Sequence, residues 1–184
     1  MATTLENAAI RYGVELNALR AVLQVEAPRG GFNPDGTPVT LFEGHKFSRW
    51  TGGIWDAKYP TISYPSWTKK FYGHTWQAEQ SRLQAAMRLD REAAIKSTSW
   101  GKPQILGENW KLCDCMDLQE FVNQMYESEE SQISLFINFL DSTNLIKALK
   151  TKNWAAFARG YNGPAYKENK YDEKLASAYE HLNG

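Results

Sequence analysis

From Gln77 to Leu182 the chain repeats one pattern, apolar residues three or four positions apart, interrupted only by short turns. That spacing lines one face of a helix and does not fit the two-residue period of a strand. The pattern predicts a helix over 77–95, where Leu83, Ala86, Met87 and Ala94 carry the period, then a turn over 97–103. Further helices follow over 118–126, 129–140, 145–150, 154–159 and 171–182. Upstream, Thr3 or Thr4 caps a helix that runs to Tyr12 and stops at Gly13. A second helix over 15–27 has the stripe Leu16, Leu19, Val22 and Leu23; Pro28 disfavours helix at Ala27, and Gly30-Gly31 completes the break.

One segment departs from the helical pattern. Phe32, the turn Asn33-Pro34-Asp35-Gly36 and a returning strand over 38–43 read as a small β-hairpin beside the second helix. The stretch 46–75, rich in Trp, Tyr, Pro and Gly, reads as an ordered surface loop with a helical turn. The expected fold is α+β and mostly α-helical. The 184 residues suit one domain over 1–184, without a separate second module.

Charge and cysteine use exclude several classes. Twenty-one Lys and Arg balance 21 Asp and Glu, so no global field favours nucleic acid or an anionic membrane. The mild basic excess beyond Asn144 reads as a solvated helical face. No basic-then-apolar start resembles a signal peptide, and no window reaches membrane-span length. Cys113 and Cys115 are too close for an ordinary bridge, which fits folding in a reducing cytosol. His45, His74 and His181 are scattered, with no HExxH, so a zinc peptidase is not expected; no cysteine has an identifiable His partner, and no phosphate-cradling Gly loop is present. No cofactor is expected. Seven Trp in a chain that is 13% aromatic suit stacking on sugar faces.

Glu26 is the sharpest chemical feature. It continues the buried stripe, three residues after Leu23 and four after Val22, in the last turn of its helix. Burial and the negative end of the helix dipole both disfavour the anion and raise the pKa. A carboxyl kept protonated near neutral pH is what glycosidic cleavage needs in order to protonate the leaving oxygen. The same position also fits a solvated carboxylate at a fraying end, or a pair with Arg29. Glu43, beyond the hairpin, is placed to be a second carboxylate across a cleft, or to fix the loop through His45 or Arg49. Asp35 competes for that role, but Asp in a Pro-Asp-Gly turn is ordinary turn chemistry. Gln104, after a Gly turn, can present its amide to a sugar amide, and Asn162 can cap a helix end or bind substrate or water.

Taken together these segments resemble the phage and prophage N-acetylmuramidases of the lysozyme-like superfamily. The resemblance runs from about Tyr12 to the C-terminus. It rests on Leu-Arg-Ala-Val-Leu-Gln-Val-Glu-Ala at 19–27, Gly31-Phe32, Leu-Phe-Glu-Gly-His-Lys-Phe at 41–47 and Ser-Trp-Gly-Lys-Pro-Gln-Ile at 99–105 with Gly107 and Asn109. Phe-Ala-Arg-Gly-Tyr-Asn-Gly-Pro-Ala-Tyr at 157–166 and Tyr171-Asp172 with Lys174-Leu175 complete it. The resemblance implies a lysozyme-type fold, Glu26 as catalytic acid and β-1,4 cleavage after N-acetylmuramic acid. It places Gln104 near substrate, and His45, Tyr161 and Asn162 stand in the same blocks as further substrate-binding residues. Glu43 is the expected second catalytic residue. The implied partner is the glycan strand of peptidoglycan, met by a monomer that waits in the host cytoplasm for holin-type release. Two departures stand out: Ala27-Pro28 follows the glutamate where the family often has Ser, and many relatives carry a wall-binding module. A lytic transglycosylase, a chitinase or a non-catalytic wall-binding module are the rival readings.

Overall fold

The computed structural model describes residues 2–184. Among these the chain forms ten α-helices and one three-stranded sheet. Helix α1 (Thr4–Tyr12) opens with the capping box of Thr3 and Glu6 and closes at Gly13, whose φ of 60° a residue without Cβ adopts freely. Helix α2 (Leu16–Glu26) buries Ala18, Leu19, Ala21, Val22 and Leu23, and its chain leaves the helical region at Ala27, ahead of Pro28.

The sheet differs from the expected hairpin. Strand β1 (Thr40–Phe42) pairs antiparallel with β2 (Thr98–Trp100), and β2 with β3 (Ile105–Leu106). Between Phe32 and the returning segment only one bridge forms, Phe32 to Pro38. The turn itself is built as read: Asn33 accepts from Gly36 N, and Asp35 accepts from the Thr37 amide and hydroxyl. Pro38 sits in a pair that uses no N–H of its own; the flanking bonds are Asn33 N to Thr37 O and Val39 N to Gly31 O. From the Val39 carbonyl onward the chain pairs on the other side, where Gly101 N donates to Val39 O and Glu43 N to Ser97 O. The segment 97–103, read as a turn, is therefore a strand followed by a turn.

The stretch after β1 begins as helix α3 (Gly44–Trp50) and continues through packed turns. Ser48 and Ser63 both donate to Asp56, and Tyr64 lies so close to Gly44 that a Cβ there would meet its ring at 2.3 Å. The single helix expected over 77–95 is two, α4 (Trp76–Leu89) and α5 (Arg91–Lys96), because Asp90 caps the second through Ala93 N. The remaining helices α6 (Leu118–Glu127), α7 (Glu129–Ser142), α8 (Leu145–Lys150), α9 (Trp154–Asn162) and α10 (Tyr171–Asn183) follow the apolar period. Phe42, Phe47, Trp100, Phe121, Phe136 and Phe157 are fully buried at their centre, each contributing on the order of 1.5–3 kcal/mol by burial. Cys113 and Cys115 are free and buried, and burial pushes their thiols up to about 12 and about 11, which leaves them inert.

Candidate active site

Where α2 ends, the chain enters a cleft of about 470 Å³ with Glu26 in its wall. Residues 28–30 and 39–41 line one part, and 73–76 with Gly101, Lys102 and Gln104 line the rest. Each boundary comes from a break in regular structure: Pro28 stops α2, the Gly73 turn precedes α4, and Gly101 at φ 66° ends β2.

Glu26 does not turn away to solvent, and among the described residues it forms no ion pair with Arg29. Its Oε2 accepts from Asn162 Nδ2 at 3.1 Å, while its Oε1 is buried with no partner. Asn162 Oδ1 is buried and unpartnered as well. Burial pushes the Glu26 carboxyl above its ordinary range; the Asn162 amide and, through space, the Lys174 ammonium on α10 pull it part of the way back. An ionised Glu26 would leave a charged oxygen buried without a donor, a costly state. Protonation removes the charge and turns an orphan acceptor into a donor. The surroundings fit the acid form.

Asn162 is the last residue of α9, and the following positive φ belongs to Gly163. One position earlier, Tyr161 donates to Pro103 O at 3.2 Å and stacks on Phe157 with centroids 5.8 Å apart. Tyr161 is not among the cleft-lining residues. It supports, from behind, the turn that carries Gln104. Gln104 itself has a left-handed backbone, φ 51°, which costs energy in any residue with a Cβ and is held by its surroundings. Its Nε2 donates to Gly101 O at 2.8 Å and Val39 O at 3.4 Å. Its Oε1 is left free to accept from an N–H in the cleft.

Glu43 and His45 form a separate group. Glu43 Oε2 accepts from Tyr72 OH at 2.6 Å and lies 3.4 Å from His45 Nδ1. Neither is among the residues lining the cleft; His45 borders a polar surface cavity of about 530 Å³ with Lys46, Arg49 and Asp56. Extended backbone alternates its faces, so Glu43 shares a face with Leu41, which lines the cleft, and its partner Tyr72 adjoins the cleft residue Gly73.

A further carboxylate, with no mark in the local sequence pattern of a loop or turn, stands in the cleft. Glu79 lines the same cleft, yet only 7% of it is exposed. It accepts from Phe42 N, Gly73 N and Arg82 Nη1, tying β1, the 73-turn and α4 together. Its bonds are committed, so it is a brace and not a free acid. The stripe of α4, followed backwards from Ala86 to Leu83, arrives at Glu79 by the same spacing that picks out Glu26. Trp76 and His74 also line the cleft, from the edge of a stretch that reads only as loop.

The family model for N-acetylmuramidase matches residues 15–183. The chain is similar in structure to a Burkholderia AP3 phage endolysin, with a TM-score of 0.90 and 39% identity, over 98% of this chain and 70% of that one. No curated protein matches the sequence.

Proposed function

The chain belongs to the N-acetylmuramidase family, and on that basis we propose that it cleaves the β-1,4 bond between N-acetylmuramic acid and N-acetylglucosamine, with Glu26 as proton donor. It is a peptidoglycan-degrading glycoside hydrolase of the muramidase type. The observation that carries the assignment to Glu26 is its Oε1, buried and unpartnered in the wall of an open cleft. A protonated Oε1 gives its hydrogen to the glycosidic oxygen as the bond to the leaving sugar breaks. Glu43 is the second carboxylate of the proposal, steadying the oxocarbenium-like centre or activating water, held by the Tyr72 hydroxyl with His45 Nδ1 3.4 Å away. Gln104 accepts from an acetamido N–H through its free Oε1, and Trp76 offers a ring to a sugar face. Tyr161 holds the Gln104 turn, and Asn162 holds Glu26. The enzyme acts as a monomer. Its likeness to a phage endolysin supports synthesis inside the host and action on the wall after release.

Digestion of purified peptidoglycan, with mass spectrometry of the new ends, tests the bond. Reducing N-acetylmuramic acid ends are expected. 1,6-Anhydro ends would replace hydrolysis by transglycosylation, and reducing N-acetylglucosamine ends would move the cut. Glu43→Gln should lower kcat/KM by about a hundredfold or more, as loss of an acid–base group does. Asp35→Asn, in an exposed turn, should change it little, and the reverse order would transfer the role to Asp35.

Asn162→Ala makes a sharper test of the proton donor. The Asn162 amide lowers the Glu26 pKa, so its removal raises that pKa further. Activity that depends on a protonated Glu26 is lost as pH rises through this pKa, so the alkaline limb of the kcat profile should move to higher pH. Loss of orientation should lower kcat by about 10–100-fold at the optimum. A limb that stays in place, or moves to lower pH, contradicts the assignment.

A further inference from the structure

Pro28 lines the catalytic cleft on one side and, on the other, a groove of about 660 Å³ between α2 and α10. The two therefore lie on either side of a single exposed residue. We infer that this groove binds the anionic peptide stem carried by the muramic acid residue whose glycosidic bond lies at Glu26. The inference rests on the muramidase reading and adds a second, non-sugar part of the substrate to it.

The helical geometry sets the two surfaces side by side. Glu26 faces the cleft, while Val25 and Gln24, one and two residues back and so turned by about 100° per residue, line the groove. Opposite them, Lys174, Ser177 and His181 of α10 lie three, four and seven residues apart, which puts them on one face. The groove's one acid, Glu173, is already bonded by Lys170 at 3.2 Å. Lys174 forms no ion pair among the described residues, is exposed, and lies close enough to Glu26 to act on its carboxyl. In a chain of zero formal net charge this is a local cationic surface with neutral hydrogen-bonding neighbours. A peptide stem, joined through the lactyl group of muramic acid and carrying free carboxylates, is complementary to it. An unsubstituted glycan such as chitin has nothing to place there.

The experiment compares KM for soluble glycan strands with stem peptides against the same strands stripped of peptide by an amidase. The wild-type enzyme should prefer the peptide-bearing strands by about five- to tenfold in KM, the scale of one or two exposed ion pairs. Raising the salt concentration should erode that preference. In a K174Q/H181Q variant the two KM values should converge. Both side chains are exposed, so the fold has no reason to change, and circular dichroism checks it. Equal KM values in the wild-type enzyme, or a preference that survives high salt and the double substitution, would overturn the inference. In either of those cases the muramidase reading stands, because the strands are still cut. Failure to cut either substrate would instead remove that reading and the stem site with it.

Discussion

Glu26→Gln is expected to abolish lysis while raising the melting temperature at neutral pH. The two effects have one cause. As general acid, Glu26 supplies a proton that an amide lacks, so kcat/KM should fall by about 10³-fold or more, within the range such groups contribute. The stability effect follows from linkage. The folded-state pKa of Glu26 is raised by burial above its ordinary value of 4.5, so in the window above that value the native state holds more protons than the unfolded one. Stability is therefore lost as pH rises from the ordinary carboxylate range through the raised pKa, and the loss persists above it. Gln cannot ionise, and its N–H₂ supplies donors where Oε1 has no partner. Calorimetry should find the variant more stable at pH 7, by about 2–4 °C for each kcal/mol recovered. Near pH 4 the difference should shrink, because both states of the wild type are then largely protonated. A variant that still lyses cells removes Glu26 from the chemistry. One that melts lower at pH 7 contradicts the buried, unpartnered oxygen.

The elements legible in sequence are those whose signal is local. The period of α6 to α10 is carried by side chains within each helix, and both ends of α1 are marked by residues touching that helix alone, Thr3 and Gly13. The position of Glu26 on the α2 stripe is legible for the same reason. The sheet is less so. Strand β2 is three residues long, too short for alternation to register, and its partner β1 lies more than fifty residues away. A turn that looks sufficient for a hairpin is in fact built, but its pairing stops at the bond from Val39 N to Gly31 O and the longer ladder forms elsewhere. The same gap hides much of the cleft. Trp76, His74 and Glu79 reach it only because Glu79 pulls the 73-turn onto β1, a contact made across the fold. Glu43 stands out by its place after the turn, but its company, Tyr72, is 29 residues further on.

The residue holding the cleft walls together is more remote still, and its removal should have the largest effect on stability. Gln132, in the first turns of α7, is fully buried. Its Nε2 donates to Gly31 O at 3.3 Å and Met125 O at 2.8 Å, and its Oε1 accepts from Lys102 N at 2.7 Å. Gly31 follows the loop beyond α2, and Lys102 belongs to the turn that presents Gln104, so one amide spans two walls of the site. Space confirms the fit: a Cβ on Gly31 would lie 2.0 Å from Gln132 Oε1, and one on Gly101 2.7 Å from Gln132 Cδ. Three residues earlier, Glu129 reaches the same two walls, accepting from Gly31 N at 2.6 Å and pairing with Lys102 Nζ at 3.3 Å. Gln132→Leu keeps the volume but leaves Met125 O and Lys102 N without their side-chain partner in a closed space, and Gly31 O with the Val39 N–H alone. At about 1–3 kcal/mol for each of the two groups left unsatisfied, the loss is roughly 2 kcal/mol or more, equivalent to a fall in Tm of about 4–8 °C or more. Below that transition the folded fraction should still lose activity, about tenfold in kcat/KM, because the Gln104 turn is no longer registered against Glu26. Glu129→Gln, at a partly exposed rim pair, should cost about 1 kcal/mol or less. Thermal melts and digestion assays on the two variants separate these expectations. If Gln132→Leu melts no lower than Glu129→Gln, the walls are held by packing of their own, and the buried amide is not what joins them.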